Sequence, residues 1–413
     1  MRMRSIAAAG ATVVIAALVM IFVYTRAQQG AVAATPPSGP GGAAAPEGAT
    51  EPASGATTEP PVDTTSTAAA PATHSTPVAA KLTVGRAIGQ MLISHVSGLT
   101  ASATLLKRIR AGRVGSVILY SENISSTSQL AAFTSSLQRA AREGHNPPLF
   151  IGTDQEGGTV KRLSSAPPWL AAAQMGAATH VKSVAQAEGR ATGRALLKVG
   201  VNLDFAPVAD VPTSANNFLG ERAFGRTTRT VEEGVTGFAS GLAEAHVAGS
   251  VKHFPGLGGA GPRDTDTEIV TITLSKSQLR AAYAPYHAVA KLGTSAGQLV
   301  MISNAIYPAL SGSDLPADLT PNIVRNELAS TGLGSRVTVT DDLEVPAVER
   351  YPNAAVRAVR AGIDLLMFAS EEAASERAFR ELEAAVKAKT ITSTEVIGAA
   401  NRVIALKTAL HLK

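Results

Sequence analysis

Between residues 88 and 369 the chain carries eight short apolar, β-branched runs, most of them ending on a polar or charged residue. They fall at 90–95, 117–120, 149–154, 202–206, 250–254, 299–304, 337–341 and 364–368, and stretches with helical spacing separate them. Eight β/α units with polar residues at the strands' carboxyl ends predict an α/β fold, a (β/α)8 TIM-like barrel with its chemistry on the top face. Ring closure would bring Asp154, Asp204, Lys252, His253, Asp341 and Asp342 to one mouth, although they lie far apart along the chain. An enzyme is the function class that such a mouth suggests.

The N-terminal fifth reads differently. Met1-Arg-Met-Arg4 precedes an uncharged, mostly apolar run at 5–24, closed by Thr25-Arg26. Twenty helical residues span about 30 Å, the thickness of a bilayer's hydrocarbon core. Residues 1–34 therefore read either as an export signal cleaved at an Ala-x-Ala-like site within 31–34, or as an uncleaved anchor crossing the membrane through residues 5–24. The run exceeds the usual signal core of roughly 7–15 residues, which favours the anchor. Both readings put the catalytic part outside the cytoplasmic membrane. Residues 35–80 are mainly Ala, Pro, Thr, Gly and Ser, with four acids and no Lys or Arg. Too few apolar side chains remain there to offset ordering entropy, so a disordered linker is expected. Residues 81–413 then form one barrel domain, closed by a last helix over about 373–410.

Composition removes several chemistries. No cysteine occurs, which excludes disulfides, thiolate metal sites and a cysteine nucleophile. The eight histidines are dispersed, with no HExxH and no phosphate-loop spacing, so neither metal nor cofactor is expected. Beyond residue 80 the chain holds 34 basic and 28 acidic side chains, and aromatics are only 4% of the whole. That is neither a stacking platform nor a basic stripe, so nucleic acid is not an expected partner.

The segment Lys252-His-Phe-Pro-Gly-Leu-Gly258 resembles the KHFPGHG/KHFPGLG segment of glycoside hydrolase family 3, particularly its single-barrel β-N-acetylhexosaminidases. Four further motifs follow that family in order: Asp154-Gln-Glu-Gly-Gly-Thr-Val-Lys-Arg162, Asn202-Leu-Asp-Phe-Ala-Pro-Val-Ala-Asp210, Gly220-Glu-Arg-Ala-Phe-Gly225 and Thr340-Asp-Asp-Leu-Glu344. The resemblance runs from residue 82 to 413. It implies that Asp341 is the nucleophile; a carboxylate at a strand's top also suits that role chemically, while a cap of the following helix fits Asp342 better. It further implies sugar contacts from Asp154, Arg162, Arg222, Lys252 and His253. Lys252 and His253 are adjacent, so simple strand alternation would turn them to opposite faces unless the backbone kinks before Phe254-Pro-Gly256.

One departure bears on the acid that must protonate the leaving oxygen. The family's bacterial N-acetylglucosaminidases use the His of an Asp-Ser-His triplet, but here the loop reads Gly259-Ala-Gly-Pro-Arg-Asp-Thr-Asp-Thr267. Asp266 takes the place of the missing His, and Asp264 that of the triplet's Asp. Asp266 with a raised pKa, Asp264, or no residue at all remain open as the acid. Asn304 likewise stands where relatives often carry His. The resemblance implies a retaining β-N-acetylhexosaminidase acting, as a monomer, on cell-wall carbohydrate. The alternatives are a catalytically weak or inactive glycan-binding barrel, and a β-glucosidase or xylosidase.

Overall fold

The computed structural model describes residues 82–293 and 297–412. The leader (1–34), with its apolar run at 5–24, and the linker (35–80) lie outside the described residues. Among the described residues no helix is long and apolar enough to cross a membrane.

All eight apolar runs become barrel strands. In chain order these are β1 (Leu92–His95), β2 (Ser116–Leu119) and β3 (Phe150–Thr153), followed by a small hairpin of β4 (Gln155–Gly157) and β5 (Val160–Lys161). Then come β6 (Leu203–Asp204), β7 (Ala248–Phe254), β8 (Gln298–Ile302), β9 (Thr338–Asp342) and β10 (Leu365–Phe368). The ring closes in the order β1-β10-β9-β8-β7-β6-β3-β2, every neighbouring pair parallel. Parallel strands need crossover connections, and one or more helices lie between each successive pair around the ring.

Alternate strand residues fill the barrel's interior, among them Ile93, Ile118, Phe150, Leu203, Phe205, Leu299, Val339 and Leu365. Val403 of the helix Ser393–Ala409 and Leu410, which caps its end, join this inner group at the barrel's amino-terminal end. Two of the outer helices, Val181–Lys198 and Thr228–Glu244, approach each other through glycines. A Cβ on Gly189 would lie 2.3 Å from the Phe238 carbonyl oxygen, and one on Gly241 2.3 Å from that of Gln186. No larger residue fits that contact without the helices separating.

The single helix expected over 373–410 is two, Glu372–Lys387 and Ser393–Ala409. Lys389 takes the left-handed conformation (φ 58°), and Thr392 begins a new helix with a capping box. Its hydroxyl accepts from Glu395 N at 3.1 Å, while the Glu395 carboxylate accepts from Thr392 N at 2.7 Å. Satisfying the free N–H groups of a new helix start is what divides the segment.

Candidate active site

A pocket of about 300 Å³ opens at the carboxyl ends of the strands. Eight of the residues singled out from the sequence line it: Asp154, Arg162, Arg222, Lys252, His253, Asp264, Asp266 and Asp341. Tyr120, Asp342, Met301 and Met367 complete much of the wall.

One side of the pocket is an ionic network. Lys252, its side chain only 3% exposed, donates from Nζ to Asp154 Oδ1 at 2.8 Å and pairs with Glu156 Oε1 at 2.7 Å. Arg222 forks onto the same Glu156, Nε to Oε2 at 2.8 Å and Nη2 to Oε1 at 2.9 Å. Arg162 approaches Asp154 more loosely, at 3.6 Å. Burial alone would raise the carboxyl pKa values of Glu156 and Asp154, but Lys252, helped by Arg222 and Arg162 respectively, outweighs it and lowers both. Burial works to lower Lys252 as well, and Asp154 with Glu156 outweighs it, so the ammonium is held charged. Such a network fixes charged groups rigidly at the pocket wall. Arg222 lines the pocket, with its fork committed to Glu156.

Lys252 and His253 both reach the pocket because the strand does not alternate regularly there. Three residues of β7 from Val251 to Phe254 advance against two of β8 from Val300 to Ile302. Asp210 holds the histidine: its Oδ2 lies 2.7 Å from His253 Nδ1, and its Oδ1 accepts from Leu257 N at 2.7 Å. Nδ1 being engaged, Nε2 is the ring nitrogen left for a ligand.

Asp341 lies within the end of β9, with its Oδ1 accepting from Asp342 N at 3.0 Å. Asp342 also lines the pocket and ties two strand exits together, its Oδ1 accepting from Glu344 N and Ala369 N, each at 3.1 Å. It caps a turn rather than a helix, since the next helix starts only at Pro346. Burial, partly offset by those backbone donors, raises Asp342 to about 6. Asp264 and Asp266 also line the pocket, and Asp264 Oδ1 accepts from Asp266 N at 3.0 Å, which shapes the loop. Asp266 keeps solvent access at the rim, yet its carboxyl is crowded by the wall. That desolvation, with the negative charges of Asp341 and Asp264, raises it to about 7 against smaller opposing effects of His253 and Arg222.

Asp204 is a correction. It is fully buried and does not line the pocket; its Oδ1 accepts from Gln155 N at 2.9 Å, and burial raises its pKa to about 8. The short strand β6 turns this side chain under the β4–β5 hairpin instead of into the mouth.

Three acids went unassigned from sequence: Glu156, Asp210 and Asp318. The first two sit inside the quoted motifs, and only their partners across the barrel reveal what they hold. Asp318 is fully buried, and among the described residues no side chain pairs with its carboxyl. Burial, and then the charge of Asp341, push it well above the ordinary carboxyl range. No group of three or more metal-ligating side chains occurs among the described residues.

The model of the glycosyl hydrolase family 3 N-terminal domain matches residues 83–406. A secreted glycosyl hydrolase of Arthroderma benhamiae is 33% identical over 334 residues, which are 78% of this chain and 92% of that protein. Among solved structures, a family 3 β-N-acetylglucosaminidase from Paenibacillus superposes with a TM-score of 0.74 at 31% identity, covering 80% of this chain and 63% of that one. A β-N-acetylhexosaminidase from Beutenbergia cavernae gives 0.71 at 29% identity, covering 79% of this chain and 99% of that one. The barrel, the motifs and a family match running along nearly all of the described residues lead to one assignment: this chain belongs to glycoside hydrolase family 3 and is a glycoside hydrolase.

Proposed function

We propose that the chain is a retaining β-N-acetylhexosaminidase that removes terminal β-linked N-acetylglucosamine from cell-wall glycans, outside the cytoplasmic membrane. The observation that carries this is that one small pocket is lined both by Asp341, on a barrel strand, and by Asp266, on the loop after β7, whose pKa is raised to about 7 by burial and then by the charge of Asp341. Acid-assisted glycoside cleavage needs a carboxyl that stays protonated near neutral pH close to a second carboxyl, and Asp266 meets the first requirement.

In this reading Asp154 and Lys252 hold sugar hydroxyls, Arg162 adds a donor, and His253 Nε2 faces the ring. Asp341 attacks the anomeric carbon as Asp266 gives its proton to the leaving oxygen. That yields an ester to Asp341 and the free aglycone. Asp266, now ionised, takes a proton from water; the resulting hydroxide cleaves the ester and frees the sugar with retained configuration. The substrate class rests on the names of the Paenibacillus and Beutenbergia relatives. The location rests on the arginine-flanked apolar leader and on a relative described as secreted.

The test is turnover by the full chain of nitrophenyl N-acetyl-β-glucosaminide and nitrophenyl β-glucoside. Preference for the first, abolished by Asp341→Ala, supports the proposal. Preference for the glucoside moves the specificity to a glucosidase. Binding of muropeptides with no turnover of either contradicts it in favour of a non-catalytic barrel. Asp266→Ala with activity restored by azide identifies the acid; an unchanged rate removes Asp266 from that role.

A further inference from the structure

Trp169 is the chain's only tryptophan, and at 62% exposure it is the most exposed large apolar side chain among the described residues. Single apolar residues on a surface are ordinary. A fixed indole is not. The loop carrying Trp169 is clasped by the buried Gln155, whose side chain donates to the carbonyls of Leu163 (3.0 Å) and Pro167 (2.8 Å) and accepts from Leu163 N (2.9 Å). Trp169 N donates to Glu188 Oε2 at 2.7 Å, and Lys161 Nζ lies 4.4 Å from the ring centroid. The ring is thus held by a backbone anchor and a cation on one face, and it still stands open to solvent.

Its place in the fold matters as much. Val160 and Arg162 line the pocket, while Lys161, between them, is not among the lining residues and sits against Trp169 instead. The loop packs directly on the β4–β5 hairpin: a Cβ on Gly157 would meet the Leu170 carbonyl oxygen at 2.5 Å and Pro168 Cγ at 3.0 Å. One hairpin therefore carries the pocket wall on one side and the indole on the other.

We propose that Trp169, with Lys161 and Glu188 beside it, is a second carbohydrate-binding site, a stacking platform for sugar units of an oligosaccharide outside the pocket. A pyranose offers an apolar C–H face and a rim of hydroxyls. An exposed indole matches the first, and a flanking cation and carboxylate match the second. A lipid surface fits less well, because Lys161 and Glu188 set a cation and a carboxylate beside the ring. The proposal rests on the glycoside hydrolase reading for the identity of the ligand, and its test is separable from that reading.

Because Trp169 is the only tryptophan, the full chain's tryptophan emission reports this site alone. Titration with a β-1,4-linked N-acetylglucosamine tetramer, in the Asp341→Asn background to suppress turnover, should shift the emission to the blue and saturate. Free N-acetylglucosamine, which fills only the pocket, should change it far less. In the otherwise unaltered chain, Trp169→Ala should leave kcat/KM on nitrophenyl N-acetyl-β-glucosaminide within about twofold. It should lower kcat/KM on the tetramer by roughly two- to tenfold, the worth of one aromatic contact, with Trp169→Phe recovering part of the loss. Emission indifferent to the tetramer, or responsive to phosphatidylcholine vesicles instead, overturns the platform, as does an equal kinetic loss on both substrates. An emission response from a chain without turnover leaves the platform standing and removes the hydrolase mechanism.

Discussion

Replacing Glu156 by Gln removes the charge on which two buried cations converge, with almost no change in shape. Glu156, its side chain 2% exposed, accepts from both nitrogens of the Arg222 fork and pairs with Lys252 at 2.7 Å. Lys252 retains Asp154, but Arg222 is left without a carboxylate. Removing one member of a buried ion pair costs about 3–5 kcal/mol, because the partner's desolvation is no longer compensated. For about 330 described residues, an unfolding entropy of about 2.1 cal/mol/K per residue gives about 0.7 kcal/mol/K, so Glu156→Gln should lower Tm by about 4–7 °C. The pH dependence has a sign. The Glu156 pKa is lowered in the fold, so its contribution is present above the unfolded carboxylate value and is lost as pH falls through the folded one. Calorimetry of the full chain should therefore show the difference at pH 7 and at pH 5, fading only in stronger acid. Adding Arg222→Met should recover more than 1 kcal/mol, since it removes the stranded cation. A Tm change below 1 °C, or additive losses in the double variant, would refute a tightly coupled network.

Asp266→Asn should abolish the basic limb of the kcat/KM profile. The wild type, needing the protonated acid, should lose activity as pH rises through about 7, and the variant should be slow and flat across that range. Lys407, fully buried beneath the barrel with Nζ donating to Gln90 Oε1 at 2.9 Å and Gly115 O at 2.8 Å, has its pKa lowered by burial to about 7. Its penalty is complete below pH 7 and vanishes toward pH 10.5, so wild-type stability should gain about 1.4 kcal/mol per pH unit across that window from this group, a slope Lys407→Met abolishes in urea titrations. Asp318 is raised by burial and by Asp341, so the wild type should lose stability as pH climbs above the unfolded value near 4. Asp318→Asn should flatten that loss, and identical pH slopes would place the carboxyl in water.

The barrel was legible because eight apolar strands, polar at their tips, leave few alternatives once each is joined by a helical crossover. Strand ends supply Asp154, Lys252, His253 and Asp341 to the pocket, whereas Arg162, Arg222, Asp264 and Asp266 reach it from the connections, where the motifs rather than the strand pattern marked them. What stayed hidden depends on contacts across the ring. Glu156 lies in a readable motif, yet its role exists only through Lys252 and Arg222, 96 and 66 residues away. Asp204 looked like a mouth residue by its strand position, but β6 is only two residues long and its end turns the side chain under the hairpin. Regular alternation would have separated Lys252 from His253, and only the backbone explains why both line the pocket. The break between the last two helices, by contrast, is written in Thr392-Ser-Thr-Glu395, a capping box masked by apolar spacing that runs on through it.

In the proposed reaction Asp341 forms a covalent bond to the sugar. Incubating the full chain with a 5-fluoro N-acetylglucosaminyl fluoride, which slows breakdown of the ester, followed by peptide mapping in a mass spectrometer, tests it directly. One glycosyl adduct is expected, on the peptide containing Asp341, accumulating as activity disappears. An adduct on Asp266 or any other residue, or steady turnover that releases the inverted anomer with no adduct, would contradict it.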